Sequence, residues 1–351
     1  MRLARLIVVM MFGWLTQSVA AQTPEQSEHS KDLIVVAAPS VLDAEEDPDY
    51  AAIFDGIVEF DIAYVNAVYG NDKVLLLVDR ETKPLFDGKV PDDALVVTDP
   101  LHIWMRDFTT VNPYAPVQFR YTPVTFDNDQ AYADNLQRDF NHILKRAGVS
   151  FPKAHDDGHH LMLDGGNIVD SYEGRVIATT RFLEDNELSM GEGVQLLKDH
   201  LGATEVALIP SDDPYLAHSD GMVMFTDHDT LFLNAYDEPL RSHVMTRLRE
   251  AFPGVKLIEL EADWDESDET SACGINLNAT VTDNFIYMPH FGNRLSDDAM
   301  AVIAQHTDKT VVPVPANGVC KLGGSVRCLS WQQSGAQGIK VFNALRALDS
   351  R

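Results

Sequence analysis

The amino-acid sequence predicts a single α/β domain in which strands and helices alternate from residue 32 towards the C-terminus. Three observations carry that prediction. Short runs of apolar and β-branched residues alternate with segments of helical periodicity. They fall into successive groups of several strands and one helix without a residue-level repeat, so any internal symmetry is structural rather than sequential. No Pro/Gly/Ser-rich stretch divides the chain, which makes one domain the simpler organisation.

Taken in order, residues 32–38 read as a strand, and 49–69 as a helix with Ile53, Ile57, Phe60 and Val68 at roughly helical spacing. Strands follow at 74–78, 95–98, 103–111 and 117–121, each a short run with strand-type composition, and then a helix at 130–146. A second group places strands near 160–163, at 167–171 and at 176–180 ahead of a helix at 191–200. The third has strands at 206–210, 221–225 and 230–234 and the helix 240–252. The fourth runs from 255–259 through 277–288 to a helix at 296–307 and a closing strand at 310–314.

Residues 1–21 read as an export signal. Arg2 and Arg5 precede an apolar run at 6–14, and Ser18, Ala20 and Ala21 offer a cleavage point. That run is too short to span a bilayer. Residues 22–31 form a polar, flexible lead-in, leaving 32–351 as one folded domain in the periplasm or outside the cell. The 27 basic and 54 acidic residues give a formal charge of −27. Such a charge argues against a nucleic-acid partner and concentrates cations at a cleft, although acidity also serves solubility alone. The runs Glu45-Glu46-Asp47 and Asp263-Trp264-Asp265-Glu266-Ser267-Asp268-Glu269 read as solvated loops. Cys273, Cys320 and Cys328 leave an odd thiol in an oxidising compartment, which requires an explanation.

Cys328 supplies it. The residue ends Leu322-Gly323-Gly324-Ser325-Val326-Arg327-Cys328, where the glycines allow a tight turn to present a side chain at a cleft. A thiolate attacks and a thiol does not, so a cationic neighbour or substrate is needed. Arg327 is one such neighbour, and a Cys320–Cys328 disulfide is the structural alternative. His218-Ser219-Asp220 offers an imidazole that moves protons near neutral pH, with a carboxylate on the same face if the segment is extended. In Trp104-Met105-Arg106-Asp107 the Arg-Asp pair suits a structural ion pair. Trp104 is equally able to stack on a flat cation while Asp107 accepts its hydrogen bonds. Leu163-Asp164-Gly165-Gly166-Asn167 adds a carboxylate at what otherwise reads as a hairpin turn. Asp156-Asp157-Gly158-His159-His160 reads as a solvated turn, because metal ligands confined to one short loop lack a distant partner. Several aspartates beside one thiol suit a guanidinium, which is planar, always charged and rich in donors.

In this order the motifs resemble the agmatine deiminase and Porphyromonas-type peptidylarginine deiminase family of the guanidine-modifying superfamily, over most of the chain. Trp104-Met105-Arg106-Asp107 resembles its Trp-x-Arg-Asp motif, residues 163–167 its Glu-Gly-Gly motif, and His218-Ser219-Asp220 its His-x-Asp motif. Asn278, ahead of Met288-Pro289-His290-Phe291-Gly292, resembles the asparagine before Pro-x-Phe-Gly, and residues 323–328 the glycine-rich segment ending in the nucleophile. Agmatine deiminases usually carry Gly-Gly-Gly-Asn-Ile-His-Cys there and Arg-Asp-x-Gly-Pro at the first motif. This chain has Arg327 before the cysteine, Thr109-Thr110 after Phe108, and Asp164 where a glutamate is common.

The resemblance implies a five-bladed, pseudo-symmetric α/β propeller of the pentein kind with a central site. It implies Cys328 as nucleophile, His218 as general acid and base, and Asp107 and Asp220 as catalytic carboxylates that bind the guanidinium. Trp104, Asp164 and Asn278 complete the substrate-binding set, with no metal and no organic cofactor. The expected activity is that of an exported deiminase converting a guanidino to a ureido group plus ammonia, with agmatine (giving N-carbamoylputrescine) placed ahead of peptidylarginine. A cysteine peptidase or acyltransferase, which needs an oxyanion hole, and a non-catalytic binder of cations are the alternatives. Cys328 is expected to be free, with Cys273 and Cys320 unpaired or bonded to each other.

Overall fold

The computed structural model of the chain describes residues 30, 32–46, 48–124, 126, 128–214, 216–262 and 271–348. The export segment at 1–21, all of the lead-in except Ser30, Asp47 and the acidic run at 263–269 lie outside the described residues.

Parallel strands cannot be joined by a tight turn and need a crossover of about a dozen residues or more. Four sheets meet that need in the same way, pairing a central strand antiparallel on one side and parallel, across a helical connection, on the other. Leu33–Ala37 lies antiparallel to Trp331–Gln333 and parallel to Lys73–Val78 across the helix Pro48–Val68. Leu95–Val97 extends this sheet. Arg175–Thr179 pairs with Val169–Asp170 and then, past Met190–Leu201, with Glu205–Ile209. Thr230–Asn234 pairs with Val223–Phe225 and, past Leu240–Ala251, with Lys256–Leu260. Phe285–His290 pairs with Thr280–Val281 and, past Arg294–Ala304, with Thr310–Pro315. Isolated bridges follow the same order around the helix Gln130–Ala147, with Val111 antiparallel to Val117 and Gln118 parallel to Lys153.

The central strands Leu33–Ala37, Arg175–Thr179 and Thr230–Asn234 are buried at every position, which is why they read as continuous rather than alternating apolar runs. Alternation still decides which core each side chain enters. Ile34 and Val36 join Phe60 and Tyr64, whereas Leu33, Val35 and Ala37 join Phe108, Phe140 and Trp331.

The structure corrects several sequence expectations. Residues 103–111 hold the short helix Met105–Phe108 instead of a strand, since a short apolar run does not distinguish a buried strand from a buried helical turn. Residues 117–121 and 160–163 are connected mainly by isolated bridges, and 277–288 is two strands joined by a turn. The chain does not close at 310–314, because Trp331–Gln333 and the helix Gly335–Arg346 follow. Gln332 and Gln333 disguise that last strand as polar, yet both are buried with their amides donating to Val281 O and Thr110 Oγ1. Its pairing with Leu33–Ala37 brings the two ends of the domain into one sheet. Residues 156–160 form a two-stranded hairpin turning at Asp157 and Gly158.

Cys273 is disulfide-bonded to Cys320, across a sequence separation of 47 residues, and Cys328 is free. Beside the bond, Ala272 N donates to Cys320 O at 2.8 Å. Closing a loop of this length restricts the unfolded chain, so the Cys273→Ser/Cys320→Ser double variant should lose about 2–4 kcal/mol of stability. Denaturant titration measures it, and an unchanged midpoint would show that the bridge contributes nothing to stability.

Candidate active site

The segment 323–330 carries Cys328 between the helical turn Cys320–Leu322 and the strand Trp331–Gln333. Val326 and Leu329 are fully buried and pin it to the core. Gly323 adopts a left-handed conformation, φ 91°, that turns the chain. A Cβ on Gly324 would lie 2.6 Å from Trp104 Cζ3 and 3.0 Å from Cys328 Sγ, so only glycine lets the indole and the thiol approach each other.

Asn278 organises this turn. Its Oδ1 accepts from Arg327 N at 3.1 Å, Cys328 N at 3.3 Å and Ser325 Oγ at 3.1 Å. Its Nδ2 donates to Cys328 Sγ at 3.1 Å. Arg106 N donates to Cys328 O at 3.0 Å and ties the same residue to the helix Met105–Phe108.

That helix separates Arg106 from Asp107 by roughly 100° about its axis, and the two side chains go to different neighbours. Asp107 Oδ1 accepts from Gly166 N at 3.1 Å and lies 3.8 Å from His218 Nδ1. Arg106 turns towards Arg327, its Nε 3.5 Å from Arg327 O. His218 leads into the turn Ser219–Gly221, so the shared face of His218 and Asp220 arises from a turn and not from an extended strand. Ala217, immediately before it, is held at φ 55°, a strained conformation for a residue with a side chain. Thr179 Oγ1 anchors it by donating to Ala217 O at 2.6 Å.

Asp164 receives His218 Nε2 at 3.2 Å on Oδ2. Thr122 N donates to its Oδ1 and Thr122 Oγ1 to its Oδ2, each at 2.9 Å. Both oxygens are thus committed to protein groups, and Asp164 orients the imidazole. Gly166 makes room on the other side, where a Cβ would stand 2.5 Å from His218 Nδ1 and 2.8 Å from Asp107 Oδ1.

Burial opposes charge throughout. It draws the His218 imidazole down, but Asp107, Asp164 and Asp220 outweigh it and hold the ring protonated well above the usual histidine range. Burial pushes Asp107 up, against the pull of His218, with Asp164 and Asp220 adding to the rise. Asp220 is likewise raised by burial and partly restrained by His218, Arg327 and Arg106. The Cys328 thiol is raised well above its ordinary value by burial and by the charges of Asp220 and Asp107. An added cation between these groups is what would release their protons.

Sequence reasoning placed Cys328, His218, Asp107, Asp220, Asp164, Asn278 and Trp104 as site residues, and all seven converge through the contacts above. Thr122 carries no signal in the sequence, since its role depends on reaching Asp164 across 42 residues. Arg327 reads there only as a cation beside the thiol, and Ser325 has no assigned role. Thr109 and Thr110, which depart from the usual first motif, serve the core, with Thr109 Oγ1 donating to Met105 O and Thr110 Oγ1 accepting from Trp331 Nε1 at 2.8 Å. Among the described residues no group of three or more His, Cys, Asp or Glu side chains is arranged to hold a metal ion. A small cavity beside His218 is lined by Thr122, Asp164, Arg181, Asp185 and Leu216.

Residues 24–334 match the family described as Porphyromonas-type peptidyl-arginine deiminase. The chain belongs to this family. It is therefore a guanidino-modifying deiminase, a hydrolase of C–N bonds. A Selenomonas ruminantium protein provisionally named agmatine deiminase is 22% identical over 322 residues, covering 77% of this chain and 86% of that protein. A C. jejuni agmatine deiminase structure, a cysteine-to-serine variant with substrate bound, superposes with a TM-score of 0.67 at 17% identity. The match covers 89% of this chain and 96% of that one. A Porphyromonas gingivalis structure provisionally named arginine deiminase gives a TM-score of 0.64 at 19% identity, over 89% of this chain and 97% of that one. These structures establish a shared mixed α/β fold.

The Gly166 contacts generate a test on this deiminase. A methyl group there must displace His218 or Asp107, and misplacing a catalytic group by an ångström costs about 100-fold. Gly166→Ala should therefore lower ammonia release by about that factor while the far-UV circular dichroism stays unchanged. Wild-type turnover in a folded Gly166→Ala enzyme would show that the imidazole does not depend on this contact.

Proposed function

We propose that the chain is an exported agmatine-type deiminase that converts a guanidino group to a ureido group and ammonia through a covalent intermediate on Cys328. The observation that carries the reading is the convergence of a free thiol, an imidazole and three buried carboxylates on one site. Asp107 and Asp220 accept N–H bonds from the guanidinium, whose charge compensates theirs. Trp104, beside Gly324 and Cys328, stacks on its plane.

Entry of the cation favours the thiolate, and Cys328 Sγ attacks the central carbon to give a tetrahedral adduct. His218 gives its proton to the departing ammonia, leaving a thiouronium on Cys328. The imidazole then takes a proton from water as that water attacks. Collapse of the second adduct breaks the C–S bond and releases the ureido product, with the adduct's hydroxyl proton passing to the departing Cys328 sulfur. Asp164 holds the ring in place through both proton transfers, supported by Thr122. A peptidase would need an oxyanion hole facing the thiol, whereas Asp107 and Asp220, whose charges reach Cys328, disfavour an anionic adduct.

Agmatine stands ahead of peptidylarginine because it is a dication and the chain carries a formal charge of −27. A small guanidine also requires only a pre-formed concave site. Export rests on residues 1–21 and is supported by the Cys273–Cys320 disulfide, a bond that persists in oxidising compartments. No helix among the described residues is long and apolar enough to cross a membrane. We further read the four sheets and the bridges at 111–163 as five units of one propeller around the site. The antiparallel-then-parallel order common to all five supports this.

Cys328→Ala should abolish ammonia release, and Asp107→Asn or Asp220→Asn should reduce kcat/KM by about 100-fold while preserving the fold. Full turnover by the Cys328 variant would end the covalent mechanism. Agmatine binding near pH 7 should release protons, because a cation lowers the raised Asp107 and Cys328 values. Calorimetry in buffers of different ionisation enthalpy reads this, and proton uptake would contradict the charge assignment. Comparing kcat/KM for agmatine, free arginine and a blocked arginine peptide decides the substrate. Agmatine should be turned over most efficiently, and a clear preference for the blocked peptide would put peptidylarginine first instead.

A further inference from the structure

Behind Asp220 lies a buried polar cluster that the proposed mechanism does not use. Arg327 and Arg106 are 5% and 2% exposed. They come from different segments, Arg327 from the turn that carries Cys328 and Arg106 from the helix Met105–Phe108. Arg327 Nη2 donates to Ile168 O at 2.8 Å, which anchors the guanidinium. Its Nε lies 3.6 Å from Asp220 Oδ2. Neither of these two buried atoms has a hydrogen-bond partner among the described residues. An orphaned donor and an orphaned acceptor of opposite charge therefore face one another across a gap that a shift of a few tenths of an ångström converts to a hydrogen bond.

The arrangement limits what Arg327 can do. A side chain bound to Ile168 O and enclosed at 5% exposure is not placed to bind a solvent anion. The groups that act on Asp220 are His218 from its own segment, Arg106 and Asp107 from the helix Met105–Phe108, and Arg327, Cys328 and Asn278. Asp170 and Tyr172 also act on Arg327. Of the cations in this set, His218 is shared among three carboxylates, and Arg106 Nη2 has no hydrogen-bond partner among the described residues. Arg327 is the cation closest to Asp220, and truncating either partner of such a buried pair leaves the other uncompensated.

We infer that Arg327 is a positioning residue that holds Asp220 ionised and aimed at the incoming guanidinium, so that one guanidinium of the chain prepares a carboxylate for another. The inference rests on the reading that Asp220 binds a guanidinium. It separates Arg327 from Cys328 in function, although the two are adjacent, because Arg327 meets Asp220 as an opposite charge whereas the charge of Asp220 opposes a thiolate on Cys328.

The test measures binding apart from turnover. Agmatine and methylguanidine are titrated by calorimetry between pH 5 and 8 into Cys328→Ala and into the same variant carrying Arg327→Met, Arg327→Gln or Arg327→Lys. The sign follows from the carboxylate: without the neighbouring cation Asp220 takes up a proton at higher pH, and the protonated acid no longer attracts the ligand. Arg327→Met and Arg327→Gln should weaken binding at pH 7 by about tenfold and move the acidic limb of the affinity profile up by about one pH unit. Arg327→Lys should keep that limb near its original position. If the Met variant does not fold by circular dichroism, the Gln and Lys variants, which differ in charge, decide the matter. Equal affinities and superimposable pH profiles across the folded variants would overturn the proposal while leaving the deiminase reading intact. The expected shift in an enzyme whose wild type releases no ammonia from either compound would uphold Arg327 and sink the agmatine assignment. Failure of both compounds to bind Cys328→Ala would overturn the Arg327 role together with the carboxylate assignment.

Discussion

Burying Asp107, Asp164 and Asp220 within one site is costly, because a carboxylate removed from water must be protonated, paired or hydrogen-bonded. Each of the three meets that demand differently. Asp164 is satisfied by Thr122 and His218. Asp107 takes one backbone donor, Gly166 N, and the field of the imidazole. Asp220 turns towards Arg327 the oxygen that has no hydrogen-bond partner among the described residues. The resulting gradient separates the carboxylate that holds the imidazole from the two that are less fully hydrogen-bonded. The same burial, with the charges of Asp220 and Asp107, raises the Cys328 thiol well above its ordinary value, so positive charge brought beside it would favour the thiolate.

The fold supplies this arrangement by drawing distant segments onto the ends of its sheets. Met105–Phe108 follows the first sheet, residues 163–167 and 217–221 flank the central strand Arg175–Thr179 and its partner Glu205–Ile209, and Asn278 precedes Thr280–Val281. Cys328 precedes the strand that closes the first sheet by pairing with Leu33–Ala37. Cys328 is therefore held where the last described strand meets the first, with Trp331 and Gln333 locked to Thr110. The disulfide adds a second tie, since Cys273 lies on the segment leading to Asn278 and Cys320 on the segment leading to Cys328. Asn278 and Cys328, which hydrogen-bond each other, thus belong to two cross-linked stretches.

Much of this was legible in the sequence. Strands such as Thr230–Asn234 and helices such as Gln130–Ala147 follow from continuous apolar runs and helical periodicity. The candidate residues stood out because a thiol, an imidazole and carboxylates beside glycine pairs are chemically unusual company. Where the reading failed, the failure was local and physical. The helix Met105–Phe108 is too short for its period to register, and Trp331–Gln333 is a core strand made partly of glutamines, whose burial is possible only because Val281 O and Thr110 Oγ1 wait for their amides. Nothing along the chain reveals that Thr122 occupies the oxygens of Asp164.

The sequence alone therefore determined the α/β class, the resemblance to a guanidine-modifying family and the identities of the reactive groups, since these reside in residue type and spacing. Tertiary structure decided how the groups divide their work. A hydrogen bond or an ion pair depends on distance and burial between residues far apart in the chain, as between Thr122 and Asp164 or Arg327 and Asp220. No one-dimensional pattern encodes those distances. They exist only once the sheets have packed, and with them the difference between a carboxylate that is satisfied and one that is waiting for a cation.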